Sequence, residues 1–212
     1  MMKKISTENR WIGLLLLFYF FGLLGMSLPQ FRDFFLPFTP LNLLLTLLVF
    51  YKVNKDFSSN FILLSCIVFF IGYTVEVIGI ATGVLFGNYA YGNSLGFKVF
   101  ETPIVIGVNW LFLALSTYGI VQFFTKKTFW LIILPPLLMT CLDFLVEPVA
   151  MKLDFWSWEN DTIPLQNYVM WFVTSIFIHG LIHFFRPKIN TKISLIIIGS
   201  QIVFFGVLNF VL

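Results

Sequence analysis

Two acidic side chains stand four positions apart in an otherwise apolar stretch, MTCLDFLVEPVAM at residues 139–151. They are Asp143 and Glu147, and a third acid, Glu76, lies in another apolar run. Residues i and i+4 share one face of a helix, so Asp143 and Glu147 would present two carboxyls to the same space. Because like charges repel, one carboxyl of such a pair keeps its proton near neutral pH. A proton donor would then stand beside a proton acceptor, and these three acids are the predicted catalytic residues.

The elements that must position these acids are membrane-spanning helices. The 212 residues are 59% hydrophobic and 11% charged, with a mean hydropathy of +0.94. Long apolar runs without alternation predict helices rather than barrel strands. We expect an all-α polytopic membrane helix bundle, with a single domain over residues 1–212. Its seven transmembrane helices are predicted at about 12–28, 36–51, 61–82, 103–124, 128–149, 166–185 and 193–212, with Pro148 ending the fifth.

Acids inside such helices require an explanation. A charged side chain at the centre of a bilayer costs about 3 kcal/mol or more, so it usually faces the bundle interior and serves a function. The alternative is that the acids only bond across helices to Asn109, Asn167, Thr140 or backbone groups. Three acids at one depth exceed what such packing requires, which favours a functional site.

The distribution of basic residues predicts the orientation of the bundle. Of thirteen Lys and Arg, one side holds ten: Lys3, Lys4, Arg10, Lys52, Lys55, Lys126, Lys127, Arg186, Lys188 and Lys192. The other side holds Arg32, Lys98 and Lys152. The positive-inside rule therefore predicts a cytoplasmic N-terminus, and we expect a bacterial cytoplasmic (inner) membrane. The net charge of +3 is too small to indicate a nucleic-acid partner.

Two long external loops, 83–102 and 150–165, belong to a repeated pattern. Each unit has an acid, aromatic residues 13 and 15 positions later, and then a Pro followed by a Trp seven positions on. The members are Glu76, Tyr89, Tyr91, Pro103 and Trp110 in one unit, and Asp143, Trp156, Trp158, Pro164 and Trp171 in the other. These offsets predict a parallel repeat of helices 3–4 and 5–6. Glu76 and Asp143 would then face one another under an aromatic lid.

A second pair of titratable residues, His179 and His183, is also spaced four apart. Two ligands do not complete a zinc or iron site, and the pair is predicted near the opposite, cytoplasmic end. We therefore expect a non-metal role for both histidines, and we predict no metal and no other cofactor.

An ordered series of motifs runs through about residues 70–175. It comprises Glu76-x-x-Gly79-x-x-x-Gly83, Phe86-Gly87-x-Tyr89-x-Tyr91, Pro103, Trp110, Leu142-Asp143, Glu147-Pro148, Trp156-x-Trp158, Pro164, Asn167 and Trp171. This series resembles the carotenoid-biosynthesis membrane proteins of bacteria and archaea that act as carotenoid hydratases. Two features depart from that family: Glu147-Pro148 stands where an Asp-Pro pair is expected, and the chain is short.

The resemblance implies hydration of the terminal double bond of an acyclic carotenoid, giving a tertiary alcohol. A carboxylic acid can protonate the alkene, and a base-activated water can capture the cation. We expect Asp143 or Glu76 to donate the proton and Glu147 to orient the water. Aromatic ring faces can stabilise the cation. The predicted substrate-binding residues are Tyr89, Tyr91, Asn109, Trp110, Trp156, Trp158, Asn167 and Trp171.

Three other functions fit the same residues. A carotenoid cyclase of the lycopene type begins with the same protonation but excludes water. A membrane carrier also uses repeats with intramembrane acids, although aromatic loops suit a lid over a hydrophobic site better than a gate for polar solutes. A non-enzymatic assembly factor would not need the acids. The expected partners are a carotenoid substrate, the lipid bilayer and other enzymes of the carotenoid pathway.

Overall fold

The computed structural model describes residues 6–212, so Lys3 and Lys4 of the charge pattern lie outside the described residues. Eight α-helices are present in this part of the chain. They are α1 Thr7–Ser27, α2 Pro29–Phe35, α3 Thr39–Asn54, α4 Ser59–Thr82, α5 Val105–Phe124, α6 Thr128–Lys152, α7 Leu165–Phe185 and α8 Thr191–Val211. A 3-10 turn, Leu36–Phe38, joins α2 to α3.

Seven helical segments within residues 6–212 are long and apolar enough to cross a membrane, with α2, the 3-10 turn and α3 together forming the second. The predicted all-α, seven-span membrane bundle is therefore confirmed, and the chain is an integral membrane protein. Its orientation in the bilayer stays a prediction. Side-chain caps define several helix starts: Ser58 Oγ accepts from the Phe61 amide at 3.3 Å, and Asn190 Oδ1 accepts from the Lys192 amide at 3.0 Å.

Two predicted helix boundaries were wrong. The second span begins at Pro29 rather than near residue 36, because Pro is well tolerated at the first position of a helix. The fifth span continues through Pro148 to Lys152. Membrane helices tolerate an internal Pro because neighbouring groups satisfy the backbone carbonyl that it leaves free. Asp143 and Glu147 consequently lie in one uninterrupted helix, with both side chains on the same face.

Four short strands lie in the two long loops, where none was predicted. They are β1 Tyr89–Tyr91, β2 Lys98–Val99, β3 Thr102–Pro103 and β4 Trp156–Trp158. β2 and β3 pair as an antiparallel hairpin. β1 pairs with β4 in antiparallel register, with Tyr89 opposite Trp158 and Tyr91 opposite Trp156. The two aromatic loops therefore meet each other across the top of the bundle.

Helix α5 is the centre of the bundle. In its spanning segment 83% of the residues are buried, whereas in the other spanning segments between 17% and 39% of the residues are buried. Helix α4 packs against it closely at Gly72, where an added Cβ would lie 2.4 Å from Cβ of Trp110. A glycine at this position therefore lets α4 approach Trp110 without a clash.

We predict that Gly72→Ala destabilises the folded bundle by about 1–3 kcal/mol, because the new methyl group overpacks the contact with Trp110. Gly180→Ala is the matched control, since an added Cβ there has nothing within 4 Å. Reversible unfolding in mixed detergent micelles, followed by circular dichroism, measures both variants. Equal stability of the two variants would contradict the close packing at Gly72.

Candidate active site

The acids converge at one end of the bundle, which we call the strand end. Helices α4 and α6 finish there, α5 and α7 begin there, and β1 and β4 lie across it. Glu76, Asp143 and Glu147 are all buried, with at most 4% of each residue exposed. Buried carboxyl groups require hydrogen-bond donors, and the surrounding elements supply them.

Glu76, on α4, accepts three hydrogen bonds from aromatic side chains. Its Oε2 accepts from the Tyr89 hydroxyl at 2.5 Å and from the Tyr91 hydroxyl at 2.8 Å. Its Oε1 accepts from the indole N–H of Trp110 at 2.9 Å. Strand β1 and helix α5 thus hold this carboxyl in one position.

Glu147, on α6, is held in a parallel way by the other unit. Its Oε2 accepts from the indole N–H groups of Trp156 at 2.9 Å and Trp158 at 2.7 Å. The sequence spacing aligned these two Trp residues with Asp143, but their indoles bond to the acid one helical turn later. Glu147 therefore takes the place toward β4 that Glu76 takes toward β1.

Asn167, at the start of α7, connects the two acids of α6. Its Nδ2 donates to Asp143 Oδ2 and to Glu147 Oε1, each at 2.9 Å. Of the three polar partners considered for the acids, Asn167 makes these bonds, whereas Thr140 Oγ1 donates to the carbonyl of Pro136 instead. The bridge fixes the separation of Asp143 and Glu147.

The two tyrosines of β1 remain donors because their hydroxyls keep their protons. Burial raises the pKa of Tyr89, and the nearby Glu76 carboxylate raises it further. The pKa of Tyr91 is raised well above its ordinary value by the same two causes, with burial again the larger. Both hydroxyls are therefore protonated at neutral pH, as their bonds to Glu76 require.

Aromatic rings surround the acids. Trp110 and Trp171 stack with ring centroids 4.2 Å apart and planes 18° apart. Across the β1–β4 pair, Tyr89 lies 4.9 Å from Trp158, and Tyr91 lies 6.0 Å from Trp156. The strand end is thus closed by paired rings, and every ring of these pairs except Trp171 donates a hydrogen bond to Glu76 or Glu147.

Two cavities adjoin the acids. A cavity of about 60 Å³, which we call the Asp143 cavity, is walled mainly by apolar residues of α3, α5, α6 and α8 and contains Asp143. A second cavity of about 20 Å³, the glutamate cavity, contains Glu76, Glu147 and Asn167. They share four wall residues: Ile106, Asn109, Trp156 and Trp171. An apolar space beside Asp143 and a small polar space beside Glu76 and Glu147 therefore share part of their walls.

The structure gathers the predicted site residues around these cavities, with Trp110 behind them. His179 and His183 lie elsewhere: His179 Nε2 is 3.1 Å from Thr117 Oγ1, and His183 Nδ1 is 3.2 Å from the Tyr118 hydroxyl. Gln201, on α8, also lines the Asp143 cavity, and motif spacing did not identify it. A polar amide inside an otherwise apolar span was the signal that could have found it.

A family model described as "carotenoid biosynthesis protein" matches residues 38–212. The match includes every acid, aromatic ring and amide of the site described above. No curated protein and no solved structure matches the chain.

We predict that Trp158→Phe destabilises the fold by about 1.5–3 kcal/mol, because it keeps a ring but removes an N–H donor to a buried carboxyl. Trp130→Phe is the control, since Trp130 lies on the outer surface of the bundle and is 42% exposed. Unfolding of both purified variants in mixed micelles gives the comparison. A Trp158→Phe protein as stable as the control would show that the bond to Glu147 contributes little.

Proposed function

The chain belongs to the carotenoid biosynthesis protein family, and from this premise we propose that it hydrates the terminal double bond of an acyclic carotenoid. A carboxyl proton adds to the less substituted alkene carbon, which leaves a tertiary cation. A water oxygen bonds to the cationic carbon, and a carboxylate takes the proton that the water loses. One water is consumed and a tertiary alcohol forms. The acids regain their starting protonation when one proton passes from the carboxylate that took it to the acid that gave one.

This proposal rests on one observation: the Asp143 cavity and the glutamate cavity share wall residues. The Asp143 cavity is walled largely by apolar side chains, which suits a hydrocarbon end group. The glutamate cavity is lined by two carboxyls and two amides, and its volume of about 20 Å³ is enough for one water with several polar partners. Hydration needs a water in contact with the alkene carbon that becomes cationic, and two cavities that share wall residues place an apolar space and a polar space next to each other.

Asp143 is the proposed proton donor. It is the acid of the trio that lines the apolar cavity, and its Oδ2 accepts a single bond, from Asn167. Glu76 and Glu147 each accept three bonds, but Oε1 of Glu147 accepts only one of them and keeps a lone pair that could take a proton. A general acid must reach the carbon that it protonates, and position in the apolar cavity favours Asp143 for this task.

The rings between the cavities stabilise the proposed cation. Trp156 and Trp171 line both spaces, so their indole rings lie beside the position where positive charge would develop. A cation near such a ring gains about 0.5–2 kcal/mol. The carboxylates of Glu76 and Glu147 add electrostatic stabilisation from the adjoining polar cavity.

Glu147 is the proposed base for the attacking water, and Asn109 is the proposed residue that orients it. Glu147 lines the glutamate cavity, and Asn109 lines both cavities. A cyclase would require the same proton donor in a dry site, so the polar cavity favours hydration over cyclisation.

We expect expression of the chain in a bacterium that accumulates lycopene to give pigments heavier by one or two waters. Asp143→Asn should lower this conversion by about 100-fold or more, since a general acid typically supplies that much. Asp161→Asn is the control, because Asp161 is exposed on the 3-10 turn Glu159–Asp161. Pigment mass, normalised to the amount of membrane-inserted protein, is the measurement.

The other outcomes identify the rival functions. A pigment of unchanged mass with altered retention and absorption would indicate a cyclase, and unchanged lycopene with confirmed expression would favour a carrier or an assembly factor. Growth in ¹⁸O-labelled water should place the label in the new hydroxyl group. Labelled oxygen absent from the product would contradict capture of the cation by water.

A further inference from the structure

A third and larger cavity lies beside the Asp143 cavity. It has a volume of about 350 Å³ and runs between α1, the α2–α3 segment and α8. We call it the lateral groove. Its walls include Phe18, Phe21 and Gly22 of α1, Phe34 of α2, Leu41 of α3 and Phe204 of α8. None of the residues that line the groove belongs to the motif series that contains the acids, and the proposed reaction does not use them.

The outer rim of the groove faces the lipid. Phe21 is 54% exposed, Phe34 is 66% exposed and Leu41 is 48% exposed. Deeper in the groove, Tyr19, Met26, Phe155 and Phe205 are buried. Because the rim consists of side chains on the flank of three spanning helices, the groove opens sideways into the bilayer rather than toward water.

The inner end of the groove joins the candidate active site. Five residues line both the groove and the Asp143 cavity: Thr39, Leu43, Phe155, Gln201 and Phe205. An apolar chain that enters between α1 and α3 therefore reaches the Asp143 carboxyl by following one continuous wall. The path crosses no charged side chain before Asp143.

Several polar groups along this wall bond to one another, although the side-chain oxygen of Asn42 is buried without a partner. Gln201 Nε2 donates to the Tyr19 hydroxyl at 2.9 Å, and that hydroxyl lies 3.4 Å from Thr46 Oγ1. Thr46 Oγ1 donates to the carbonyl of Asn42 at 2.8 Å. The hydroxyls of Tyr19 and Thr46 are thus bonded within the wall, and the groove presents mainly aromatic and aliphatic surface to an occupant.

We propose that the lateral groove is the channel through which one end of an acyclic polyene leaves the bilayer and reaches Asp143. This inference rests on the proposed function for the reaction that follows. The lining of α1 extends from Phe18 to Met26, or about 12 Å at 1.5 Å per residue. A carotenoid is much longer than this, so the remainder of its chain stays in lipid while a single end is bound.

The walls favour a conjugated chain over a saturated lipid tail. Tyr19, Phe35, Phe155, Phe204 and Phe205 all line the groove, and their ring faces can stack on a planar polyene. The groove also leads to a buried acid, which a membrane lipid does not need. A lipid tail as the sole occupant is the competing outcome, and the experiment below distinguishes it.

Gly22→Leu tests the groove by filling it. An added Cβ at Gly22 meets Phe204 at 3.6 Å, an ordinary van der Waals contact, while the rest of the new side chain projects toward the groove. Gly13→Leu is the matched control on the same helix, because nothing lies within 4 Å of an added Cβ there. A second pair, Leu41→Trp against Leu44→Trp, narrows the groove from α3. Leu41 lines it, and Leu44 is equally exposed but does not.

The full chain is reconstituted in lipid nanodiscs with lycopene as the probe. Induced visible circular dichroism reports binding, and pigment mass reports conversion. We expect Gly22→Leu and Leu41→Trp to weaken binding by about tenfold or more, and the two controls to bind like the wild type. Asp143→Asn should bind lycopene normally without converting it.

Wild-type binding and conversion by both Gly22→Leu and Leu41→Trp would overturn the proposal and leave the groove as a site for lipid tails only. Binding that both filling variants weaken, without any hydration by the wild type, would support the channel and refute the hydratase. The two proposals therefore fail separately.

Discussion

The structure of the strand end depends on one constraint: a carboxyl group buried in an apolar bundle must receive hydrogen bonds. Each glutamate of the site accepts three, and most of the donors are aromatic side chains. The short strands β1 and β4 bring those donors above the acids, and pairing between the strands holds them there. The aromatic lid and the carboxyl cluster are therefore parts of a single hydrogen-bonded structure.

This constraint also gives the three acids different chemical characters. Glu76 and Glu147 have their oxygens occupied by donors, whereas Asp143 faces an apolar cavity and is tied by Asn167 alone. Separate positions for a proton donor and for proton acceptors are what an acid-catalysed addition to an alkene needs. The lateral groove extends the apolar side of this arrangement to the lipid, where a carotenoid is dissolved. The bound end of the substrate and the Asp143 proton would thus meet in the same apolar cavity.

Much of this architecture could be predicted before the structure. Apolar runs of spanning length indicated seven helices, and the rarity of acids in them indicated Glu76, Asp143 and Glu147. Sequence spacing also identified Tyr89, Tyr91, Trp156 and Trp158. It aligned the two Trp residues with Asp143, whereas their indole N–H groups bond to Glu147. Hydropathy could not predict that α6 continues past Pro148, because that depends on neighbouring groups in the bundle. The strands were missed because three-residue segments carry too weak a periodic signal.

The amino-acid sequence by itself determined the number of spans, the positions of the acids along those spans and the presence of aromatic donors near them in the chain. These properties depend on local hydropathy and on distance along the chain, which a sequence contains directly. Only the tertiary structure decided which donor meets which carboxyl, that Asn167 bridges Asp143 and Glu147, and that Gln201 joins the site from α8. The lateral groove is likewise a space between helices distant in sequence. Such features arise from packing between separate segments, and packing depends on the shapes of both partners at once.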